Sequence, residues 1–179
     1  RDRRQLEAEG MVTIKPHVGP TVAEISAKEI GEIYEVRAVL ERLAIGLFVD
    51  NAPDADLEKL AEALERLSPA LKQPDGQRHI KALDKFYEIM FRSCGNSFVA
   101  KLTDSVRTRV HYIRTMSSAH YDARWTKQTF INSQRLAQAL KGRDRAGAED
   151  ALGDQIRHAA KLAQKAITST FPRNPHTSS

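Results

Sequence analysis

The sequence predicts an all-α protein: a six-helix antiparallel bundle preceded by the end of another helix and a small β-hairpin. Three observations lead to this prediction. Aromatic residues make up only 6% of the 179 residues, which is poor for an all-β sandwich. Apolar residues recur three and four positions apart from residue 26 onward, as in amphipathic helices. The connections between these periodic stretches are short, which favours antiparallel neighbours.

The first 25 residues predict a helix end followed by two short strands. Residues 1–9 favour a helix, and Gly10 ends it in the usual C-terminal position. Two β-branched runs, residues 11–15 and 21–25, flank a Pro- and Gly-rich turn at residues 16–20 and therefore predict a hairpin. No other segment of the sequence resembles a strand.

Six helices are predicted after the hairpin. The first begins at a capping box, in which the Ser26 hydroxyl and the Glu29 side chain satisfy free amides at the helix start. The second begins at Pro53-Asp54, and a Pro-Asp-Gly turn at residues 74–76 ends it. The other four are predicted at about residues 78–94, 97–117, 121–140 and from residue 144 to just before Pro172. We expect the tail, residues 172–179, to be disordered.

Composition limits the class of protein without deciding its function. The net charge is +5, but residues 1–96 hold 14 Lys and Arg against 17 Asp and Glu, whereas residues 97–179 hold 14 against 6. A basic half fits nucleic acid or an anionic ligand, and equally a solvated face. The single cysteine, Cys94, excludes an internal disulfide and a zinc site built from thiolates. No segment opens like a signal peptide or is long enough to cross a bilayer, so a cytoplasmic protein with no membrane partner is expected.

Four short segments, taken in order, carry a family resemblance. Residues 4–12 read RQLEAEGMV, residues 15–22 read KPHVGPTV, residues 32–41 read EIYEVRAVLE, and Phe86-Tyr87 is followed nine residues later by Asn96. The first two resemble the end of the recognition helix and the wing of GntR-type winged helix-turn-helix regulators. The last two are similar to the helical effector domain of the FadR subgroup, called the FCD domain.

The resemblance implies a division of the chain and a set of DNA contacts. Residues 1–25 would be the remnant of a winged helix-turn-helix domain, residues 26–171 the effector-binding and dimerisation domain, and residues 172–179 a tail. Since such a DNA-binding domain has two further helices before the recognition helix, we expect the chain to be part of a longer regulator. In the complete protein the candidate DNA-binding residues are Arg1, Arg3, Arg4, Lys15 and His17. A solvated helix end and an ordinary turn are the alternative.

The resemblance also predicts that a family-type metal site is lost. Many FCD domains bind a divalent metal through Asp-x-x-x-His on one helix and two histidines, 22 residues apart, on the last two helices. The corresponding positions here are Leu83, Tyr87, Ser133 and Gln155, none of which is a good metal ligand. Asp84 is one residue out of register, roughly 100° round the helix. We therefore expect no metal and no other cofactor.

Without a metal, the cavity predicts a site for a polar ligand. The resemblance places Tyr87, Ser133 and Gln155 on the cavity wall, where they supply hydroxyl and amide groups. His158 lies one turn from Gln155 and is a further candidate. On the fourth helix, three basic residues four and three positions apart share one face that would suit a small carboxylate: Arg107, His111 and Arg114. The alternative is that this face is solvated.

Together these features predict a ligand-responsive DNA-binding transcriptional regulator. Its helical domain is expected to sense a small organic acid, to form a homodimer, and to control binding to operator DNA through the complete N-terminal domain. The alternative is an all-α ligand-binding or enzymatic bundle with no DNA role. Against an enzyme, the sequence has no Ser-His-Asp order, no Gly-rich phosphate loop and no paired-carboxylate site. The wing-like segment argues against a TetR-like regulator and against a helical adaptor.

Overall fold

A computed structural model describes residues 12–15, 19–22, 25–72 and 76–170 of the chain. Its first two elements are the strands β1 (Val12–Lys15) and β2 (Gly19–Val22), which pair antiparallel with Val12 opposite Val22. The predicted hairpin is confirmed, but its strand bounds differ from the expected ones: Lys15 pairs with Gly19, so that two residues assigned to the turn belong to β2. Proline is tolerated at position 20 because both strands of a two-stranded sheet are edges. The predicted helix end at residues 1–9 and the tail at residues 172–179 lie outside the described residues.

Six α-helices follow in the described part of the chain, as predicted. Their bounds are α1 (Ala27–Asn51), α2 (Asp54–Lys72), α3 (Gly76–Ser93), α4 (Ser97–Ser117), α5 (Ala123–Lys141) and α6 (Arg145–Thr170). Helix α5 begins two residues later than expected because a 3-10 turn, Ser118–His120, first continues the end of α4. The Asp122 carboxylate then accepts a hydrogen bond from the amide of Trp125 at 2.7 Å and caps α5.

Side chains also cap the N-termini of α1 and α4. The Ser26 hydroxyl accepts from the amide of Glu29 at 3.1 Å, which confirms the serine half of the predicted capping box. The glutamate half is wrong: the Glu29 side chain forms an ion pair with Arg109 of α4 instead. Between α3 and α4, Gly95 takes the left-handed conformation at φ 77°, which glycine adopts without strain. The Asn96 side chain then accepts from the amides of Phe98 and Val99.

The helices pack in two main pairs around one core. Helix α1 lies along α6, α2 lies along α5, and α5 and α6 also pack against each other. Large, fully buried side chains come from all six helices, among them Phe48, Leu60, Phe86, Ile113, Leu136 and Leu152. No helix among the described residues combines the length and apolar character needed to cross a membrane.

The apolar pattern of two helices is only partly buried. On α4, Val99, Val110 and Ile113 are buried, but the apolar residues Phe98 and Leu102 are exposed. On α1, three residues spaced three and four apart are likewise exposed: Val36, Val39 and Leu43. Because periodicity identifies an apolar stripe but not what covers it, this difference could not be read from the sequence.

Candidate functional site

A small inner cavity lies where side chains of α1, α3, α4, α5 and α6 meet. Its volume is about 30 Å³, enough for one or two water molecules. Charged, aromatic and amide groups line it alongside a few aliphatic side chains. The described side chains around it fall into three groups: a buried ion pair on α1, an arginine on α4, and an aromatic wall from α3, α5 and α6.

The ion pair joins Arg37 and Glu41, one turn apart on α1. Nε of Arg37 donates to Oε1 of Glu41 at 2.7 Å and Nη2 donates to Oε2 at 3.3 Å, and both residues are only 2% exposed. Nη2 also donates to the Tyr87 hydroxyl at 3.3 Å. Burial lowers the pKa of Arg37, but the Glu41 carboxylate, together with Tyr87 and Tyr34, more than offsets this, so the pKa lies above its usual value. The guanidinium is therefore a permanent buried cation.

A second arginine, Arg114 of α4, is held by an acidic residue of α3. Arg114 is 8% exposed, and its guanidinium carbon lies 4.7 Å from the centre of the Tyr87 ring. Nη1 of Arg114 lies 3.3 Å from Oδ1 of Asp84, and Nδ1 of His111 lies 3.2 Å from Oδ2 of the same carboxylate. The Asp84 side chain is 41% exposed. This carboxylate thus cross-links α3 to two residues of α4.

The aromatic wall centres on Trp125 of α5. Tyr121 stacks on Trp125 with ring centres 3.7 Å apart, and His158 of α6 lies nearly parallel to the indole at 6.0 Å. His79 of α3 meets the Trp125 and Tyr121 rings edge-on. Burial, reinforced by Arg114, lowers the pKa of His79 to about 4, so this imidazole is neutral at pH 7. Burial also raises the pKa of Tyr121 and of Tyr87, and both hydroxyls remain protonated.

Several buried polar atoms around the cavity lack a hydrogen-bond partner within the described part of the chain. They are Nη1 of Arg37, both ring nitrogens of His79, Nε1 of Trp125, Oγ1 of Thr129, Oγ of Ser133 and Oε1 of Gln155. A buried polar atom without a partner costs about 1–3 kcal/mol, and such atoms are rare in folded proteins. All of these atoms except Oγ of Ser133 belong to residues that line the cavity, so its wall offers unused donors and acceptors to a polar molecule.

An outer groove between α3 and α4 adjoins the cavity. Its volume is about 860 Å³, and Arg37, Tyr87 and Arg114 line both the groove and the cavity. These three side chains therefore form the wall between the two spaces. The groove also carries further charged side chains of both signs, including Lys85, Glu88 and Arg107.

The structure separates the predicted pocket residues into two places. Tyr87, Arg114, Gln155 and His158 line the inner cavity, and Ser133 is buried on α5 but does not line it. Arg107 and His111 line the outer groove, on the same face of α4 as Arg114, but neither of them lines the cavity. The reason is that α3 covers the Arg114 end of this face and leaves the rest open.

The structure does not describe the side chains of the predicted DNA-binding residues, and it adds residues to the site that were not predicted. The DNA-contact candidates Arg1, Arg3, Arg4 and His17 lie outside the described residues, and Lys15 ends β1 with its side chain undescribed. Several residues of the site were not predicted from the sequence, among them Arg37, Glu41, His79, Tyr121 and Trp125. A signal existed for the first two, because they continue the three-and-four spacing of the buried residues Ile30, Ile33 and Tyr34.

The residues at the family's metal positions do not fit a divalent cation. Leu83, Tyr87 and Gln155 line the cavity and Ser133 is buried nearby, so the set offers hydroxyl and amide groups but no carboxylate or imidazole. Two buried guanidiniums also repel a cation there. Across the described ranges, no group of three or more His, Cys, Asp or Glu residues is arranged to hold a metal.

Comparison with known proteins shows that the chain matches one family model and is similar to transcriptional regulators. The FCD domain matches residues 32–158. An uncharacterized HTH-type transcriptional regulator of Bacillus subtilis (strain 168), YdhC, is 29% identical over 115 residues, which cover 64% of this chain and 51% of YdhC. The HTH-type transcriptional regulator McbR of Escherichia coli K12 is 24% identical over 155 residues, covering 84% of this chain and 68% of McbR.

The fold is that of a solved regulator. The structure of E. coli McbR/YncC superposes with a TM-score of 0.80 at 22% sequence identity, covering 90% of this chain and 81% of that one. The chain spans about half the length of YdhC.

Proposed function

Since the chain belongs to the FCD domain family of GntR-type transcriptional regulators, we propose that its bundle is the effector-sensing and dimerising part of a ligand-responsive DNA-binding regulator. Its relatives are transcriptional regulators and not enzymes. In this proposal a small molecule bound within the bundle shifts the position of the DNA-binding heads and so controls operator binding.

The proposed effector is a small organic acid. The observation that carries this is a charge imbalance: in the part of the chain that the structure describes, the buried charged side chains are Arg37, Arg114 and Glu41. Glu41 is the buried counterion of Arg37, whereas Arg114 is paired with the partly exposed Asp84, so two buried guanidiniums share one buried carboxylate. Nη1 of Arg37 has no partner among the described residues. A carboxylate would supply the missing negative charge and accept hydrogen bonds from both arginines.

Neutral groups would orient the rest of the molecule. Tyr87, which lines both the groove and the cavity, offers a hydroxyl. Gln155 and His158 of the cavity wall and the buried Ser133 are further candidates if the cavity widens on binding. We propose that no metal takes part, because the donor set at the family's metal positions is unsuitable. Stoichiometric uptake of zinc or nickel, measured by native mass spectrometry, would contradict this.

Calorimetric titration with a panel of small carboxylates tests the effector proposal. Arg114→Gln, which removes the buried charge, should abolish binding. Arg92→Gln is the matched control, because Arg92 lines the same groove but is exposed and pairs with Glu88. Equal binding by wild type and both variants would show that Arg114 does not hold the acid.

The proposed partner for dimerisation is a second copy of this chain. The exposed apolar residues of α1 and α4 support this, since these helices contact each other and expose Val36, Val39, Leu43, Phe98 and Leu102. Sedimentation velocity should show that Val39→Glu shifts the protein to monomer. Ile131→Glu, which changes an exposed apolar residue of α5, should leave the dimer intact.

DNA binding is a proposal about the complete protein. Arg1, Arg3, Arg4, Lys15 and His17 are its candidate contacts, and binding to operator DNA should weaken steeply with salt because lysines and arginines displace counterions. An acid that binds the bundle should change the operator affinity. A complete protein that binds the acid but no DNA would favour the alternative, a ligand-binding bundle with no DNA role.

A further inference from the structure

The cavity alone is too small for the small organic acid proposed as the effector. About 30 Å³ accommodates one or two water molecules, whereas sites for small organic ligands typically measure about 300–1,000 Å³. The outer groove, at about 860 Å³, is in that range, and it reaches the cavity at Arg37, Tyr87 and Arg114. An organic acid therefore has room only in the groove, with its carboxylate turned inward toward the two arginines.

In this structure the Asp84 carboxylate already contacts Arg114, the arginine that the acid is proposed to bind. Asp84 lines the groove and contacts Nη1 of Arg114 at 3.3 Å, on the groove side of the shared wall. Its other oxygen contacts His111 at 3.2 Å. With its side chain 41% exposed, Asp84 gives up little burial if it turns away into solvent.

We propose that Asp84 is an internal competitor for the effector: the incoming carboxylate displaces it from Arg114. This inference rests on the proposed sensing of an organic acid and adds the way in which the site is regulated. Displacement would break the cross-link that Asp84 makes between α3 and α4. Helix α4 also carries the exposed residues Phe98 and Leu102. A shift of α4 on exchange would therefore move part of the surface proposed to contact a second copy of the chain.

The test compares two variants that each remove one negative charge from the groove. Asp84→Asn removes the competing carboxylate, whereas Glu88→Gln removes a carboxylate that pairs with Lys85 and Arg92 and does not contact Arg114. Acetate, as the smallest carboxylate probe, and benzoate, as a larger one, are titrated calorimetrically at constant ionic strength. Asp84→Ala serves as a second variant should the asparagine disturb the fold, which circular dichroism checks.

Competition predicts that Asp84→Asn lowers the Kd of both acids about fivefold, since a partly exposed ion pair is worth up to about 1 kcal/mol. Glu88→Gln should change the Kd less than twofold. A structural role for Asp84 predicts the opposite sign, because loosening α3 from α4 would weaken binding. The sign of the change therefore separates the two roles.

The remaining outcomes are also decisive. Unchanged or weaker binding by Asp84→Asn, with wild type still binding the acids, overturns the competition and leaves organic-acid sensing in place. An equal gain in both variants shows a general charge effect and overturns it as well. If neither acid binds wild type or any variant, the proposed sensing of organic acids fails, and the competition fails with it.

Discussion

Arg37 lies within α1 and Arg143 contacts the end of α1, but the hydrogen bonds of the two guanidinium groups differ. Arg143 lies in the turn before α6, and every nitrogen of its guanidinium has an acceptor: the carbonyls of Val49 and Ala52 at 2.9 Å and the carboxylate of Asp54 at 2.7 and 3.2 Å. Arg37 is far more deeply buried, yet its Nη1 has no partner among the described residues.

The difference separates a structural arginine from a binding one. Arg143 satisfies carbonyls that the end of α1 leaves without intrahelical partners, and its hydrogen bonds are complete within the bundle. Arg37 and the atoms around it are incomplete, at a cost in stability that a bound molecule can recover. An arginine that completes its hydrogen bonds within the fold therefore indicates architecture, and a buried one that does not indicates a site.

The largest effect is expected from breaking the buried pair. Glu41→Gln leaves Arg37 as a buried charge without a counterion and should lower the free energy of unfolding by about 3–5 kcal/mol, measured by urea denaturation. The double variant Arg37→Met/Glu41→Leu should recover most of this loss, because it removes both charges. A single variant as stable as wild type would contradict the burial of this pair.

The next largest effect is expected on the pH dependence of the free energy of unfolding, through His79 of the cavity wall. The pKa of His79 is about 4 in the folded protein and about 6.5 in an unfolded chain, so protons bind the unfolded chain more readily. Stability from this group is complete above pH 6.5 and is lost as the pH falls from 6.5 to 4, by about 3 kcal/mol in total. His79→Gln should lack this part of the acid sensitivity. Parallel pH profiles of unfolding free energy would contradict it.

A smaller effect is expected at the structural arginine. Arg143→Ala removes the hydrogen bonds to Val49, Ala52 and Asp54 and should cost about 2 kcal/mol in thermal or urea unfolding. It should leave the affinity for any acid that binds the bundle unchanged. A change in that affinity would erase the distinction between the two arginines.

The smallest effect is expected at an exposed ion pair. Glu65 of α2 and Lys141 of α5 pair across the bundle surface, with both side chains 55% exposed. Glu65→Gln should change the free energy of unfolding by no more than about 0.5 kcal/mol, because solvent screens such pairs. A loss comparable to that of Glu41→Gln would mean that burial does not set the cost of breaking an ion pair here.

Much of the fold could be predicted from the sequence because it depends on neighbours in the chain. The number of helices, the hairpin and the Ser26 cap follow from periodicity and from residues within one turn of each other. The glutamate half of the capping box was wrong because Arg109, 80 positions away, offers Glu29 a charged partner. A distant ion can outcompete a local hydrogen bond, and local pattern does not reveal it.

The candidate site shows the same division. The family resemblance placed Tyr87 and Gln155 at the cavity, and both line it. The equal spacing of Arg107, His111 and Arg114 could not show which of them α3 covers, and only Arg114 is buried. Whether any of these residues binds an effector stays a prediction.

By itself, the sequence determined the helices, their order and the family, because hydrophobic periodicity, caps and motifs depend on residues that lie close together in the chain. Only the tertiary structure decided which charged groups are buried and which of their atoms lack partners. Those properties arise where α1, α3, α4, α5 and α6 meet, and they depend on residues far apart in the chain. The unpartnered Nη1 of the buried Arg37 and the Asp84–Arg114 contact, on which the proposals rest, therefore became visible only in the folded molecule.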